Sequence, residues 1–136
     1  MTHTTNYLNT LIAVADDCPV TVAEIPPQKV EKSSANIAFE MIKNHPYIYT
    51  SDEVLFQVYA VKNNLSETNW DTEKQKFFSK GQACFRSSPL AKRYGWGIHF
   101  DSAGKMALYA VESAEYKKLY QDANLKIIKA MRSKRG

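Results

Sequence analysis

The chain has 136 residues, of which 44% are hydrophobic and 24% charged, proportions typical of one soluble globular domain. No stretch of about 20 apolar residues is present, which argues against a membrane-spanning helix, and the polar first residues argue against a secretory signal. We therefore expect a cytoplasmic protein that does not bind membranes.

The net charge of +4 is concentrated at the C-terminal end. Residues 126–136 carry five basic side chains and no acidic one, whereas the rest of the chain has 13 basic and 14 acidic residues. We predict a single domain over residues 1–125, followed by an edge strand and basic tail over 126–136. Such a tail is typical of a solvated terminus or of a segment that contacts nucleic-acid phosphates. The lack of interleaved aromatic residues favours the solvated terminus.

The first third of the chain predicts strands followed by a helix. Alternating β-branched residues indicate a strand over residues 8–14, buried on both faces. Residues 20–25 indicate a second short strand or an extended segment. A serine cap and an apolar stripe predict a helix that begins at residue 33 or 34 and ends near Asn44, before a proline that a helix cannot include.

Two further helices are predicted in the middle of the chain. Thr50 and Glu53 have the spacing of a capping box, in which each side chain bonds the backbone amide of the other. This pattern favours a helix over residues 54–61, although the β-branched and aromatic composition there would also suit a strand. A third helix is predicted over residues 67–80, ended by a glycine.

The second half of the chain predicts a hairpin between short helices. We expect a short strand over residues 82–86, and Ser88 followed by a proline predicts a single helical turn. Residues 95–100 and 105–111 are predicted to form a β-hairpin around a turn that a glycine closes.

The last predicted elements are a helix over residues 113–121 and an edge strand over residues 125–128. The order of all the elements indicates an α+β fold: a single domain with a mainly antiparallel sheet, including the hairpin, packed with about four helices.

The segment from Arg86 to His99 is the strongest candidate for a binding site. A helical turn that begins at Ser88 presents free amides, and nearby cations can add charge-assisted hydrogen bonds to an anion. An interpretation without a binding function, a capped turn with solvated cations, is favoured because both features are common on protein surfaces. The candidate ligand-binding residues are Arg86, Ser87, Ser88, Lys92, Arg93, Trp96 and His99.

Residues of the predicted hairpin strand alternate between two faces. Trp96 lies on one face, and Gly95, Gly97 and His99 lie on the other. Glycines here admit either a ligand or a large neighbouring side chain such as Tyr109, and we favour the packing interpretation. An anion site that includes both Trp96 and His99 requires the cation-rich turn to lie beside the hairpin and enclose a positively charged hollow.

Cys84 is a possible nucleophile. Neighbouring cations favour a thiolate, and a pair with His99 across adjacent strands would suit a thiol-dependent enzyme. A buried, inert cysteine is the commoner arrangement and is favoured. The spacing of Cys18 and Cys84 fits no metal or redox motif, and the three histidines do not form a ligand pair, so we predict free thiols, no metal and no cofactor.

Several short motifs together resemble a family of small uncharacterised bacterial proteins, in the class of domains of unknown function. The resemblance extends from near the first residue to near the last and implies a free-standing, single-domain bacterial protein whose basic end belongs to it. It implies no activity, cofactor or site residue. The motifs are His3-Thr-Thr-Asn-Tyr, Val14-Ala-Asp-Asp-Cys-Pro, Phe39-Glu-Met-Ile, Tyr49-Thr-Ser-Asp, Phe78-Ser-Lys-Gly-Gln, Ser88-Pro-Leu-Ala-Lys-Arg-Tyr-Gly-Trp-Gly and Ala130-Met-Arg-Ser-Lys-Arg.

The sequence leaves three functional hypotheses open. The first is a small cytosolic module that binds a small anionic ligand near the segment from Arg86 to His99. The second is a thiol-dependent enzyme that uses Cys84 with His99. The third is nucleic-acid association through the basic tail. The oligomeric state is not predicted.

Overall fold

The structure, a computed structural model, describes residues 4–27 and 32–132. In these ranges five α-helices and a four-stranded sheet confirm the predicted α+β fold, with one helix more than expected because the short turn after Ser88 is α-helical. The strands are β1 (Thr10–Ala13), β2 (Trp96–Phe100), β3 (Met106–Ala110) and β4 (Lys126–Lys129). The helices are α1 (Ser34–Asn44), α2 (Ser51–Lys62), α3 (Trp70–Phe78), α4 (Pro89–Lys92) and α5 (Ala114–Tyr120). None of the helices in the described ranges is both long and apolar enough to cross a membrane.

The sheet has the strand order β3-β2-β1-β4. β1 pairs antiparallel with β2, and β2 pairs antiparallel with β3 in the predicted hairpin. β4 lies at the edge, as predicted, but it runs parallel to β1. The reason is topological: α5 carries the chain from β3 at one edge to β4 at the other, and a helical crossover delivers a strand in the direction of the one before it.

The two faces of the sheet are covered unequally. The larger core lies on the face that α1, α2 and α4 cover, where Ile98 and Phe100 are fully buried. The opposite face carries Leu11 and is covered by the seven-residue α5 through Tyr116. The side chains of β2 therefore alternate between two environments: Ile98 meets the three-helix layer, whereas its neighbours Gly97 and His99 lie on the face that α5 partly covers.

The capping predictions at the starts of α1 and α2 are confirmed. Ser33 caps α1, and the Thr50 and Glu53 side chains each accept the other's backbone N–H, at 3.3 and 2.9 Å. α2 lacks a simple apolar stripe because it packs on two sides. Val54 and Val58 join the main core, whereas Phe56 joins a smaller aromatic cluster against α3.

The predicted helix over residues 67–80 is divided. A 3₁₀ turn over Glu67–Asn69 precedes α3, whose last residue, Phe78, is buried in the smaller cluster. A 3₁₀ turn leading into an α-helix is a common way to begin one.

Neither residues 20–25, predicted as a short strand or an extended segment, nor residues 82–86, predicted as a short strand, form a strand of the sheet. Residues 20–25 form bends whose amides are satisfied outside the sheet: Ala23 N–H donates to the Glu112 carboxylate and Glu24 N–H to the Tyr94 carbonyl. Residues 82–86 lead into a 3₁₀ turn over Phe85–Ser87, closed by its own local hydrogen bonds. Cys84 therefore does not lie on a strand next to His99.

Candidate functional site

The seven residues predicted to bind an anion do not surround one hollow. Trp96 faces the layer of α1, α2 and α4, whereas His99, three positions along the same strand, faces the opposite side of the sheet. An odd spacing in a strand always separates two side chains in this way. The structure therefore divides the predicted residues into four groups, each with its own surroundings.

Trp96 is a packing residue in this structure. It is 7% exposed, its ring packs against Phe39 at 5.2 Å between centroids, and its Nε1–H donates to the Glu24 carbonyl at 2.8 Å. Its single polar atom is thus used to hold the segment before α1 against the sheet. The Lys43 ammonium lies 5.4 Å from the ring centroid.

The three cations of the segment have different surroundings. Arg86 donates from Nε to the Lys129 carbonyl at 3.0 Å, and its own carbonyl accepts from Met131 N–H at 2.8 Å, which ties this turn to the end of β4. Arg93 is exposed at the C-terminal end of α4, with its guanidinium 6.0 Å from the Tyr94 ring centroid. Lys92 is the last residue of α4.

Two more of the predicted residues, Ser87 and Ser88, line a cavity together with Cys84. The cavity has a volume of about 210 Å³ and lies between the start of α1, the middle of α2 and residues 83–89. Its other walls are mainly apolar and include Ala38 and Leu55. Among the described residues, its lining contains no charged side chain.

Polar groups at this cavity are partly committed to local structure. Ser88 Oγ caps α4 by accepting Leu90 N–H at 3.2 Å, and Ser87 Oγ donates to the Cys84 carbonyl at 2.8 Å. The first turn of α1 also lines the cavity through Ser34 and Ala35 and contains no acidic residue. The first amides of a helix have no partner within it, and the helix dipole favours negative charge there.

Cys84 has a tyrosine as its partner. The Tyr7 hydroxyl donates to Cys84 Sγ at 3.2 Å, and burial, with this hydrogen bond, raises the pKa of Tyr7 to about 12 against the opposing charge of Arg86. The Tyr7 ring packs against Phe100, on the face of the sheet opposite to His99. Tyr7 was not among the predicted site residues, because 77 residues separate it from Cys84 and no local pattern links them.

His99 belongs to a separate polar cluster. Its Nδ1 lies 2.8 Å from the Tyr47 hydroxyl, which lies 2.6 Å from the Tyr109 hydroxyl. Burial lowers the pKa of His99 below its ordinary 6.5, although the charges of Asp101 and Asp122 oppose this shift. Tyr47 was not among the predicted site residues, since it lies in the connection between two helices and carries no motif.

A larger hollow lies elsewhere and is polar. It has a volume of about 650 Å³ between the first residues, α2 and α3, and its lining includes Asp52, Asp71 and Lys74. The Asp52 carboxylate already accepts hydrogen bonds from Thr4 and Thr5 at 2.7 Å. No group of three or more His, Cys, Asp or Glu side chains that could hold a metal ion occurs within residues 4–27 and 32–132.

Comparison with curated proteins and with solved structures finds no match. The model of one family, described as a family of unknown function (DUF6157), matches residues 2–136. This match confirms the full-length resemblance that the motifs indicate. The chain therefore belongs to the DUF6157 family of unknown function.

Proposed function

We propose that this protein is a small-molecule binding module whose ligand combines a short apolar portion with one anionic group. The observation that carries the proposal is the cavity of about 210 Å³ beside Cys84, Ser87 and Ser88. Binding sites are typically concave and mostly apolar, with a few polar groups that orient the ligand. Sites for drug-sized ligands have about 300–1,000 Å³, so this ligand is small.

The anionic group is supported by the charges around the cavity. The α1 amides of Ser34 and Ala35 are at the positive end of an 11-residue helix with no acid in its first turn. Arg86 lies close enough to the Cys84–Tyr7 pair to lower the pKa of Tyr7, against the larger opposite effect of burial. A carboxylate that enters between these groups would meet amides and positive potential rather than acidic side chains.

Binding is tested by NMR titration of the ¹⁵N-labelled chain with three probes: butyrate, n-butanol and inorganic phosphate. Butyrate carries both the apolar and the anionic portion, and each of the other two carries one. We expect butyrate to shift the amide signals of Ser34, Ala35, Ser87 and Ser88 with a Kd of about 1 mM, equivalent to about −4 kcal/mol. Butanol and phosphate should bind at least tenfold more weakly.

Ala35→Leu serves as the blocking variant, because the larger side chain projects into the cavity from the first turn of α1. Ala114→Leu is its control, at the exposed first turn of α5. We expect Ala35→Leu to abolish the butyrate shifts and Ala114→Leu to retain them. Shifts that survive in Ala35→Leu, or no shifts in the parent protein, would contradict the proposal.

A second candidate function, thiol chemistry at the same cavity, is favoured by the placement of Cys84. Its sulfur lies in the cavity wall and accepts the Tyr7 hydroxyl at 3.2 Å. The thiolate is the nucleophilic form of cysteine, and Tyr7 is placed to donate a hydrogen bond to it. In this proposal Tyr7 takes the position that the sequence analysis gave to His99.

Iodoacetamide labelling followed by mass spectrometry tests this second function, with Cys18 as the internal comparison because it is also a free, partly exposed thiol. We expect Cys84 to react faster than Cys18 and faster than a cysteine in an unstructured peptide. Tyr7→Phe should slow Cys84 about fivefold, the factor for a hydrogen bond of about 1 kcal/mol. Labelling of Cys84 no faster than in the peptide would eliminate a nucleophilic role.

The remaining predictions from the sequence stay proposals. They are that the protein is bacterial, that it is located in the cytoplasm, that a domain boundary lies near residue 125, and that the basic tail contacts nucleic acid. The end of that tail, residues 133–136, lies outside the described residues.

A further inference from the structure

The connection between α1 and α2 follows the outer edge of the sheet. We call residues 45–49 the strap. Within it, Tyr47 N–H donates to the Met106 carbonyl at 2.7 Å, and Met106 N–H donates to the Tyr49 carbonyl at 2.9 Å. Tyr47 has a φ of 61°, a conformation that is uncommon for a bulky residue and persists only where surrounding contacts hold it.

The Tyr47 side chain supplies such contacts by reaching His99 and Tyr109 on the face of the sheet that α5 partly covers. Its hydroxyl lies 2.8 Å from His99 Nδ1 on β2 and 2.6 Å from the Tyr109 hydroxyl on β3. Its ring meets the imidazole edge-on, at 5.6 Å between centroids and 84° between planes. One phenol therefore fastens the strap to two strands.

We propose that the strap is a pH-operated latch, in which protonation of His99 weakens its hold on Tyr47 and loosens residues 45–49. The proposal does not depend on a ligand at the cavity beside Cys84, which lies on the other side of the sheet.

The hydrogen-bond chain has a direction that depends on protonation. In a neutral imidazole, Nδ1 can accept from Tyr47, whose oxygen then accepts from Tyr109. An imidazolium has N–H groups at both nitrogens, so Nδ1 can only donate, and Tyr47 can no longer donate its hydroxyl proton to it. The added proton comes from solvent, and no covalent bond of the tyrosines changes.

Burial makes the charged state unfavourable in the latched geometry. The residues opposite His99 on the neighbouring strands are Leu11 and Ala107, which offer no compensating charge. Asp101 at the end of β2 and Asp122 after α5 attract the imidazolium, but the net effect still lowers the pKa of His99 below 6.5. An imidazolium therefore gains by leaving the phenols for solvent and these carboxylates.

The sign of the pH dependence follows from this direction. The pKa of His99 is lower while Tyr47 is bound to it than after the strap is released, so the released state binds protons more strongly. The latch is therefore intact above pH 6.5 and weakens as the pH falls through the pKa that His99 has in the latched state. Each unit between the released and latched pKa values weakens the latch about tenfold.

The test combines an NMR histidine titration with amide hydrogen exchange between about pH 7.5 and 5, a range that brackets the ordinary histidine pKa. The Tyr47 and Met106 amides report on the strap because the first donates from the strap to β3 and the second donates from β3 to the strap. After correction for the intrinsic effect of pH on exchange, we expect their protection to fall with the midpoint of His99. His45 is also in the strap, is exposed, and has its ring 5.7 Å from Tyr49.

Three variants assign the effect. His45→Gln should leave the loss of protection unchanged. His99→Gln should remove the pH dependence of strap protection. Tyr47→Phe retains the ring but lacks the hydroxyl, so it should lower strap protection at every pH and should also remove its pH dependence. The latch is refuted if strap protection does not change with pH, if it follows His45, or if Tyr47→Phe retains the pH dependence. If His99→Gln does not fold, the pH dependence measured in Tyr47→Phe decides whether the latch exists.

Discussion

Replacing Phe85 with alanine is expected to lower the free energy of unfolding by about 3–5 kcal/mol, the cost typical of deleting a buried phenylalanine ring. Phe85 is 2% exposed and belongs to the main core. The 3₁₀ turn over Phe85–Ser87 closes on local hydrogen bonds that place this ring inward while Cys84 and Ser87 line the cavity. Without the ring, the turn has little apolar contact to hold it against the core.

Urea unfolding, monitored by circular dichroism, measures the loss. Phe77→Ala is the comparison, because Phe77 is only partly buried and packs in the smaller cluster with Phe56 and Phe78. We expect the Phe77 variant to lose clearly less stability. If both variants lost the same small amount, Phe85 would not anchor the turn, and the cavity beside Cys84 would have no rigid wall.

Features encoded by neighbouring residues were predictable from the sequence. The capping box of Thr50 and Glu53 indicated a helix in a segment rich in Val, Phe and Tyr, and the structure has α2 there. The reason is physical: the caps satisfy amides at a fixed spacing of three residues, whatever the rest of the fold does. The hairpin was predictable for the same reason, since Gly104 closes its turn with a φ of 80°.

Features that depend on distant partners were not predictable. Residues 20–25 and 82–86 have apolar residues suited to strands, but a strand forms only where an edge is available. In this sheet, β4 pairs with the outer edge of β1, and the strap bonds to part of the outer edge of β3. The direction of β4 likewise follows from the path of α5 across the sheet, which no residue of β4 specifies.

The contacts at the candidate site were not predictable for the same reason, because they join residues that are far apart in the chain. Tyr7 and Cys84 are 77 residues apart, and Tyr47 and His99 are 52 apart. Proximity along the chain suggested that the cation-rich turn encloses a hollow with Trp96 and His99, yet strand alternation places Trp96 and His99 on opposite faces. The sequence drew attention to Cys84 and His99 but could not show that Tyr7 and Tyr47 are their hydrogen-bond partners.

Gly97→Ala is expected to destabilise the protein by about 1–3 kcal/mol through overpacking. A Cβ built at position 97 would lie 2.6 Å from Cδ2 of Tyr116 and closer still to Cε2. Packing therefore accounts for this glycine, as the sequence analysis favoured, although the neighbour is Tyr116 and not Tyr109. Moving the Tyr116 ring would also strain the bond that its hydroxyl accepts from Val14 N–H at 3.0 Å, and such a bond contributes about 1 kcal/mol.

Gly81→Ala is the matched control, because a Cβ there meets no atom within 4 Å and its φ is not positive. We expect it to be neutral or to stabilise by about 0.4–1 kcal/mol. A double-mutant cycle with Tyr116→Leu then isolates the contact: the smaller leucine should leave room for the methyl group added at position 97, so the double variant should lose less than the sum of the single losses. Additive losses would mean that the Tyr116 ring is not the reason for glycine at position 97. They would also mean that this contact does not position α5 on the sheet.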